Sequence, residues 1–299
     1  MKIFVTGASG YIGGSVAAAL MGAGHEVLGL VRSDARADQV RALGIEPVPG
    51  SLADAAVLAE AAGRADAVVN AANAEDRGAA EALLKALAGT GKPFIQTSGS
   101  SIVADLSEGR AGDAIYDEET PVDPLPGRAE RVAINHMVRD AAGTGVRTAV
   151  ICPTLIYGKG SGLNPDSIQV PWLVALAKKR GGACHIGPGE NVWSNVHIDD
   201  LVDLYLLALE TAPAGAFYYA ENGETAMREV CEAINAVLGF GPATTPISIE
   251  EAAAEWGEGA ANYTMGSNSR VRAVRARREL GWTPHRPSLL DTIRAEGAG

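Results

Sequence analysis

Residues 2–13 have the sequence Lys2-Ile3-Phe4-Val5-Thr6-Gly7-Ala8-Ser9-Gly10-Tyr11-Ile12-Gly13. The apolar run before the first glycine predicts a buried strand, and the stretch after the second glycine predicts a helix. Between these elements Gly7 permits a tight turn, Gly10 leaves room for a ligand against the backbone, and Gly13 lets the helix approach the strand. The unpaired N–H groups at the helix start favour an anion. The turn therefore predicts a pyrophosphate-binding loop, with an ordinary strand-to-helix turn as the alternative.

Short β-branched runs alternate with longer Ala- and Leu-rich stretches over the first half of the chain. This alternation predicts an α/β fold of the Rossmann type, a doubly wound parallel sheet with helices on both faces. The predicted strands are 2–6, 26–31, 46–49, 67–70, 94–98 and 147–152. The predicted helices are 12–23, 35–43, 53–62, 75–88, 128–142, 167–179, 200–211, 225–238 and 269–280. We expect a nucleotide-binding domain over residues 1–155. Residues 156–299 are expected to form a smaller, mainly substrate-binding lobe with some segments returning to the sheet.

Composition excludes several classes of function. The 299 residues carry 25 Lys and Arg against 36 Asp and Glu, a formal net charge of −11, which disfavours binding to a nucleic-acid backbone. Cys152, Cys184 and Cys231 are widely spaced, so they predict neither a disulfide framework nor a metal site. No signal peptide and no membrane-spanning stretch is indicated. We expect a cytoplasmic monomer or homodimer that binds a small molecule, without nucleic-acid or membrane partners.

Four further segments accompany the glycine-rich turn. They are Asp66-Ala67-Val68-Val69-Asn70-Ala71-Ala72, Gln96-Thr97-Ser98-Gly99-Ser100, Pro153-Thr154-Leu155-Ile156-Tyr157-Gly158 and Val196-His197-Ile198-Asp199-Asp200. Together these motifs resemble the extended short-chain dehydrogenases/reductases, also called the NAD-dependent epimerase/dehydratase family, over nearly the whole chain. The resemblance implies a nicotinamide dinucleotide cofactor and an oxidoreductase, epimerase or dehydratase activity.

The end of the second predicted strand distinguishes the two nicotinamide cofactors. NAD-binding Rossmann proteins usually place an acidic residue there for the adenosine ribose. This chain has Arg32 followed by Ser33. A guanidinium can hold a 2′-phosphate through two parallel N–H bonds, so we expect NADP(H), with a solvated surface arginine as the alternative. The predicted cofactor-binding residues are Gly7, Ser9, Gly10, Tyr11, Ile12, Arg32, Ser33, Ser51, Leu52, Ala71, Ala72 and Pro153.

The family's usual catalytic pair, Tyr-x-x-x-Lys, is missing. None of the seven tyrosines is followed four residues later by a lysine. An ungapped count back from Gly145 and Val146 puts Gly127 at the tyrosine position and Arg131 at the lysine position. The chain thus resembles an atypical branch of the family that keeps the cofactor site without the dyad. Any reduction must then take its proton from the substrate, from water or from a group outside the motif.

Three residues are candidates for catalysis. Ser98 and Ser100 lie near the family's catalytic Ser/Thr and would bond a carbonyl, with backbone-bonding hydroxyls as the alternative. Arg131 would hold the nicotinamide ribose, since it cannot act as an acid near neutral pH. We expect His197 to be a structural hydrogen-bonding residue at a helix entrance. We expect the basic run over 270–278 to be the solvated face of a helix.

These expectations predict an NADP(H)-dependent oxidoreductase acting on a small substrate with an activated C=O, C=N or C=C group. Unactivated ketones should then be poor substrates, because they need strong polarisation of their oxygen. Two alternatives stay open: a nucleotide-sugar epimerase or dehydratase, and a non-catalytic NADP(H)-binding sensor or scaffold. The missing tyrosine disfavours the first alternative, because oxidation of a sugar hydroxyl needs a base.

Overall fold

Seven parallel strands form the central sheet in a computed structural model of the chain, which describes residues 1–296. Residues 1–296 contain twelve strands in all: β1 (Lys2–Thr6), β2 (Glu26–Val31), β3 (Glu46–Pro49), β4 (Ala67–Asn70), β5 (Pro93–Thr97), β6 (Arg147–Pro153), β7 (Leu155–Tyr157), β8 (Cys184–Ile186), β9 (Val192–His197), β10 (Ala216–Ala220), β11 (Glu224–Ala226) and β12 (Thr245–Ile247). The helices are α1 (Tyr11–Gly22), α2 (Asp34–Ala42), α3 (Ala55–Arg64), α4 (Arg77–Leu87), α5 (Pro126–Asp140), α6 (Gln169–Arg180), α7 (Ile198–Thr211), α8 (Met227–Leu238), α9 (Ile249–Trp256), α10 (Glu258–Ala260), α11 (Val274–Leu280) and α12 (Leu289–Glu296). Two 3₁₀ turns cover Ser100–Val103 and Ala141–Thr144, and a π-helical turn covers Ala261–Met265.

The central sheet has the strand order β3-β2-β1-β4-β5-β6-β10. Helices α3, α4 and α5 pack in a row, and α1 packs against α7 as a separate group. The prediction of a doubly wound Rossmann-type sheet is confirmed. The strand order reverses between β1 and β4, so the connections that follow these two strands lead to opposite faces of the sheet and leave a crevice between them. In folds of this kind, that crevice is where ligands bind.

The second half of the chain contributes to the same core as the first. Strand β10 pairs in parallel with β6, and Leu201 and Tyr205 of α7 are fully buried in the cluster that contains Phe4 of β1. A second apolar cluster contains Trp193 and buried residues of α6 and α8. The remaining strands form two small sheets, β7-β9-β11 and β8-β12. Among the helices within residues 1–296, none has both the length and the apolarity that a bilayer span needs.

The predicted helix over 269–280 is wrong in its first half. Helix α11 begins only at Val274, and Ser269 and Val271 instead form β-bridges with Trp193 and Tyr116. Val271 is fully buried in an extended segment, where its backbone N–H donates to Ser194 Oγ at 2.9 Å. The apolar spacing was compatible with a helix, because an amphipathic helix and an extended segment can each bury a valine at this position.

The arginines of this segment are also not simply solvated. Arg270 and Arg272 both pair with Glu224, and Arg277 pairs with the buried carboxylate of Glu221. These ion pairs tie the segment to the turn after β10 and to β11.

Candidate active site

The glycine-rich turn joins β1 to α1, and its glycines have different surroundings. Gly7 has a φ of +74°, and a Cβ there would lie 2.9 Å from the carbonyl oxygen of Ala71. A Cβ on Gly13 would lie 2.4 Å from the carbonyl oxygen of Gly7. A Cβ on Gly10 would meet only that same oxygen, at 3.2 Å, with nothing else within 4 Å. Gly7 and Gly13 are therefore required by chain packing, while Gly10 borders open space.

The start of α1 is suited to an anion. No side chain caps it, and its first turn contains no acidic residue. Its first N–H groups thus have no side-chain acceptor, and the helix dipole favours a negative charge in front of them. A dinucleotide pyrophosphate fits this arrangement, with the open space at Gly10 admitting it against the backbone.

A buried polar chain crosses the carboxyl edge of the sheet. Thr6 Oγ1 donates to Asn70 Oδ1 at 2.6 Å, and Asn70 Nδ2 donates to Gln96 Oε1 at 2.8 Å. The N–H groups of Ala71 and Ala72 donate to Thr6 Oγ1 at 3.1 and 3.3 Å. This chain links the ends of β1, β4 and β5 and sets the Ala71–Ala72 backbone against Gly7. Sequence reasoning included Thr6 and Asn70 only as motif letters and assigned them no role.

The side chains that follow β2 and β3 differ in whether they hydrogen-bond to other residues. Arg32 is exposed and makes no ion pair or side-chain hydrogen bond within residues 1–296. Ser33 Oγ accepts the N–H of Arg36 at 3.3 Å and caps α2. Ser51 donates to the carboxylate of Asp54 from both its hydroxyl and its backbone N–H, which lowers the pKa of Asp54. Arg32 thus remains free for a ligand, while the two serine hydroxyls serve local turns.

Other predicted cofactor residues contact the rest of the chain. Tyr11 Oη donates to the carbonyl of Gly158 at 2.7 Å, so the loop after β7 covers its ring. Pro153 ends β6 opposite Ala220 of β10. Ser9, Ile12 and Leu52 are half-buried. Tyr11 can therefore offer a cofactor its backbone more readily than its side chain.

The two candidate serines lie in different surroundings. Among residues 1–296, Ser98 Oγ is buried without a nitrogen or oxygen partner. It lies beside the thiol of Cys152, whose pKa is raised to about 12 by burial. Ser100 is 1% exposed, and its hydroxyl is 2.8 Å from the hydroxyl of Ser269. The structure therefore places Ser100 beneath the segment from the second half of the chain.

Arg131 lies over the turn that follows β5. Its Nη1 donates to Ser101 Oγ at 2.9 Å and its Nη2 to Glu75 Oε1 at 2.7 Å. A Cβ on Gly99 would lie 3.1 Å from the same Nη1. The side chain is 18% exposed, and its Nε is buried without a hydrogen-bond partner among residues 1–296. Ser101 and Glu75 were missed in the sequence because neither belongs to a recognisable motif.

A second arginine and a tyrosine complete this group. Arg128 Nη1 lies 3.7 Å from Glu75 Oε1, and burial together with the charge of Arg131 lowers the pKa of Arg128. Tyr263 reaches the same place from the π-helical turn, with the Arg128 guanidinium carbon 4.5 Å from its ring centre. A Cβ on Gly127 would lie only 2.6 Å from Tyr263 Oη. The phenol therefore occupies the space that a side chain at position 127 would enter.

The sequence pattern of the NAD dependent epimerase/dehydratase family matches residues 3–219, well over half of the chain. The chain belongs to this family. It is an oxidoreductase enzyme of the short-chain dehydrogenase/reductase type. The prediction of the family from its motifs is confirmed.

Three known proteins are similar to this chain. Oxidase ucsJ of an Acremonium species is 34% identical over 98% of this chain and 95% of its own length. A 4-hydroxy-2-methyl-3-oxo-4-farnesyl-3,4-dihydroquinoline-1-oxide ketoreductase of Stigmatella aurantiaca is 27% identical over 99% and 97%. The solved structure of DesIV, a dTDP-glucose 4,6-dehydratase of Streptomyces venezuelae with NAD and TYD bound, is 22% identical. It has a TM-score of 0.77 and covers 99% of this chain and 95% of that one. This structural likeness shows the shared fold.

Two histidines of this epimerase/dehydratase chain have simple roles. His197 Nδ1 accepts the N–H of Asp199 at 3.1 Å, which confirms the predicted position at the entrance of α7. His136 is exposed and lines a separate cavity with Asn135 and Phe217. Within residues 1–296, His136 makes no hydrogen bond or ion pair with Glu75, Arg131 or Tyr263.

Proposed function

We propose that this oxidoreductase uses NADP(H) and reduces a carbonyl group of a small organic substrate. The observation that carries the cofactor assignment is Arg32, which stands free and exposed after β2, where NAD-binding relatives of this fold place an acidic residue. Since Ser33 is occupied in capping α2, the guanidinium is the principal group there for a 2′-phosphate.

Redox enzymes predominate over epimerases among the named relatives. One is named as an oxidase and three as reductases, and a UDP-glucose 4-epimerase of Streptomyces lividans also aligns, at 27% identity over 96% of this chain. Solved structures of sugar-nucleotide epimerases and dehydratases share the fold at identities near 20%, which carries no argument about substrate. A carbonyl or the corresponding alcohol is therefore the favoured reacting group.

Different residues would bind different parts of the cofactor and the substrate. When bound, the cofactor supplies or accepts a hydride at its nicotinamide ring. Gly10 and the start of α1 would hold the pyrophosphate, and Arg32 the 2′-phosphate. Arg131, fixed by Glu75 and Ser101, would bond the nicotinamide ribose. Ser98, buried directly after β5, would bond the substrate oxygen.

Cofactor binding tests this proposal. Fluorescence titration should show NADPH binding at least tenfold more tightly than NADH, because a charge-assisted bond contributes about 1.5–3 kcal/mol. Arg32→Glu should abolish or reverse the preference while NADH binding persists. Arg41→Glu is a matched control, since Arg41 is an exposed arginine at the other end of α2 that pairs with Asp38. Equal affinities for both cofactors, unchanged by Arg32→Glu, would contradict the proposal.

A further inference from the structure

We propose that Tyr263, from the second half of the chain, is the proton donor for carbonyl reduction in this site. The inference rests on the proposed function and adds the group that the sequence could not identify. It follows from the hydroxyl's position beside Gly127, from the cation next to the ring, and from the commitments of the other polar groups around the crevice.

Several other hydroxyl groups near the crevice are occupied or buried. Tyr11 Oη donates to Gly158, and Tyr157 Oη donates to the carbonyl of Pro287 at 2.8 Å. Ser100 is bonded to Ser269, and Ser101 accepts a hydrogen bond from Arg131. Tyr263 is half-exposed, and its hydroxyl has no hydrogen-bond partner among residues 1–296. It is thus a phenol whose proton is available to a ligand.

The charged groups at this place cannot supply a proton themselves. Arg128 and Arg131 are arginines, which stay protonated in proteins. Glu75 is held between them as an ion-paired carboxylate, 2.7 Å from Arg131. These groups instead determine the electrostatic potential around the Tyr263 hydroxyl. The Arg128 guanidinium over the Tyr263 ring stabilises negative charge on the phenol oxygen once the proton has left.

The position of the hydroxyl fits the crevice. Gly127 and Arg131 lie one helical turn apart at the start of α5, and Arg131 touches the turn after β5. Tyr263 Oη lies where a side chain of residue 127 would begin. The second half of the chain therefore places this hydroxyl at the same end of α5 as Arg131. The ring is carried on a π-helical turn, an irregularity that often occurs at functional sites.

The proposed step balances as follows. The carbonyl carbon receives a hydride, with its electron pair, from the reduced nicotinamide. The π electrons of the C=O bond move to its oxygen, which takes the proton of Tyr263, giving the alcohol. The O–H bond of Tyr263 breaks, and the phenolate left beside Arg128 regains a proton from water. The sequence-based expectation of poor activity on unactivated ketones is revised accordingly, because a proton donor is present.

Tyr263→Phe is the direct test. The probe is the ketone that the wild-type chain reduces fastest with NADPH from a panel of keto esters, quinones and cyclic ketones. We expect kcat to fall by 10²- to 10⁴-fold, the usual contribution of a general acid, with NADPH affinity unchanged. Calorimetric binding of the same ketone to the NADP⁺ complex should weaken about tenfold, because the hydrogen bond to the carbonyl oxygen is lost. Tyr218→Phe, whose hydroxyl bonds Glu279 on α11, is the matched control and should keep its rate.

Gly127→Ala provides a test that retains the tyrosine. The new methyl group must displace Tyr263 Oη, so the rate should fall in the wild-type background and change little further in Tyr263→Phe. Gly143→Ala, which adds a methyl group to open space after α5, controls for the substitution itself. Circular dichroism and NADPH binding check that each variant is folded.

The outcomes separate this inference from the proposed function. A wild-type chain that reduces a ketone, with Tyr263→Phe retaining the rate and the ketone affinity within threefold, would overturn the role of Tyr263 and leave the reductase intact. Additive effects of Gly127→Ala and Tyr263→Phe would do the same. A wild-type chain that binds NADPH but reduces no member of the panel would overturn both.

Discussion

At the scale of single residues, the cofactor turn depends on space. Gly13 cannot accept a Cβ, because the carbonyl of Gly7 lies 2.4 Å from where the Cβ would stand. Gly10 can accept one as far as the protein is concerned, apart from a 3.2 Å approach to that carbonyl. A glycine that the fold itself barely requires, at the open start of a helix, indicates that a ligand needs the room.

Gly10→Val should therefore abolish NADP(H) binding while the chain still folds. The branched side chain would fill the space of the pyrophosphate. Gly22→Val is the control, since a Cβ added at position 22, near the end of α1, would enter open space. Fluorescence titration measures binding, and thermal unfolding measures the fold. NADPH affinity within threefold of wild type in Gly10→Val would argue against a pyrophosphate at this turn.

At the scale of elements, the regular half of the fold was predictable. Strands β1 to β4 begin and end where the sequence predicts. β1, β2 and β4 are largely buried apolar runs between turn residues. β3 is a short edge strand in which only Val48 is buried. The sequence also located the glycine-rich turn and Arg32 correctly on their elements, because both follow directly from a strand end.

The site's closing residues were not predictable, because they come from distant parts of the chain. Tyr263 belongs to no motif and reaches Gly127 only through packing of the second half. Ser269 seals Ser100 from an extended segment that was predicted to be helical. Local periodicity does not reveal such long-range pairing, since the deciding contacts lie far apart in the sequence.

The extended segment before α11 should be sensitive to its buried serine. Ser194 Oγ accepts the N–H of Val271 at 2.9 Å and donates to its carbonyl at 3.1 Å, with Ser194 fully buried. Ser194→Ala leaves the Val271 N–H unpaired, while the Val271 carbonyl keeps a hydrogen bond from Arg272 Nη1 at 2.9 Å. We therefore expect a loss of about 1–3 kcal/mol in the free energy of unfolding, measured in urea. Ser161→Ala, at an exposed serine, should change it by less than about 0.5 kcal/mol. A similar small change in Ser194→Ala would show that this pairing is dispensable.

At the scale of the whole molecule, the second half of the chain completes a crevice that the first half frames. Its loop after β7 covers Tyr11, Ser269 covers Ser100, and Tyr263 packs on Gly127 and Arg128. The sheet thus carries the glycine-rich turn, while in the proposed reaction the second half would supply the group nearest the reacting carbonyl. A passive cofactor-binding protein would need only the glycine-rich turn. A catalyst would also need the groups from the second half of the chain.

The transfer of deuterium from NADPH labelled at nicotinamide C4 to a ketone tests the account most directly. Each C4 position is labelled in a separate experiment, and mass spectrometry reads the alcohol product. We predict one deuterium on the former carbonyl carbon from one of the two labelled cofactors. Incorporation should be slowed in Tyr263→Phe at unchanged NADPH binding. Saturable NADPH binding by the wild-type chain without label in any product of the ketone panel would contradict the account and favour a non-catalytic sensor.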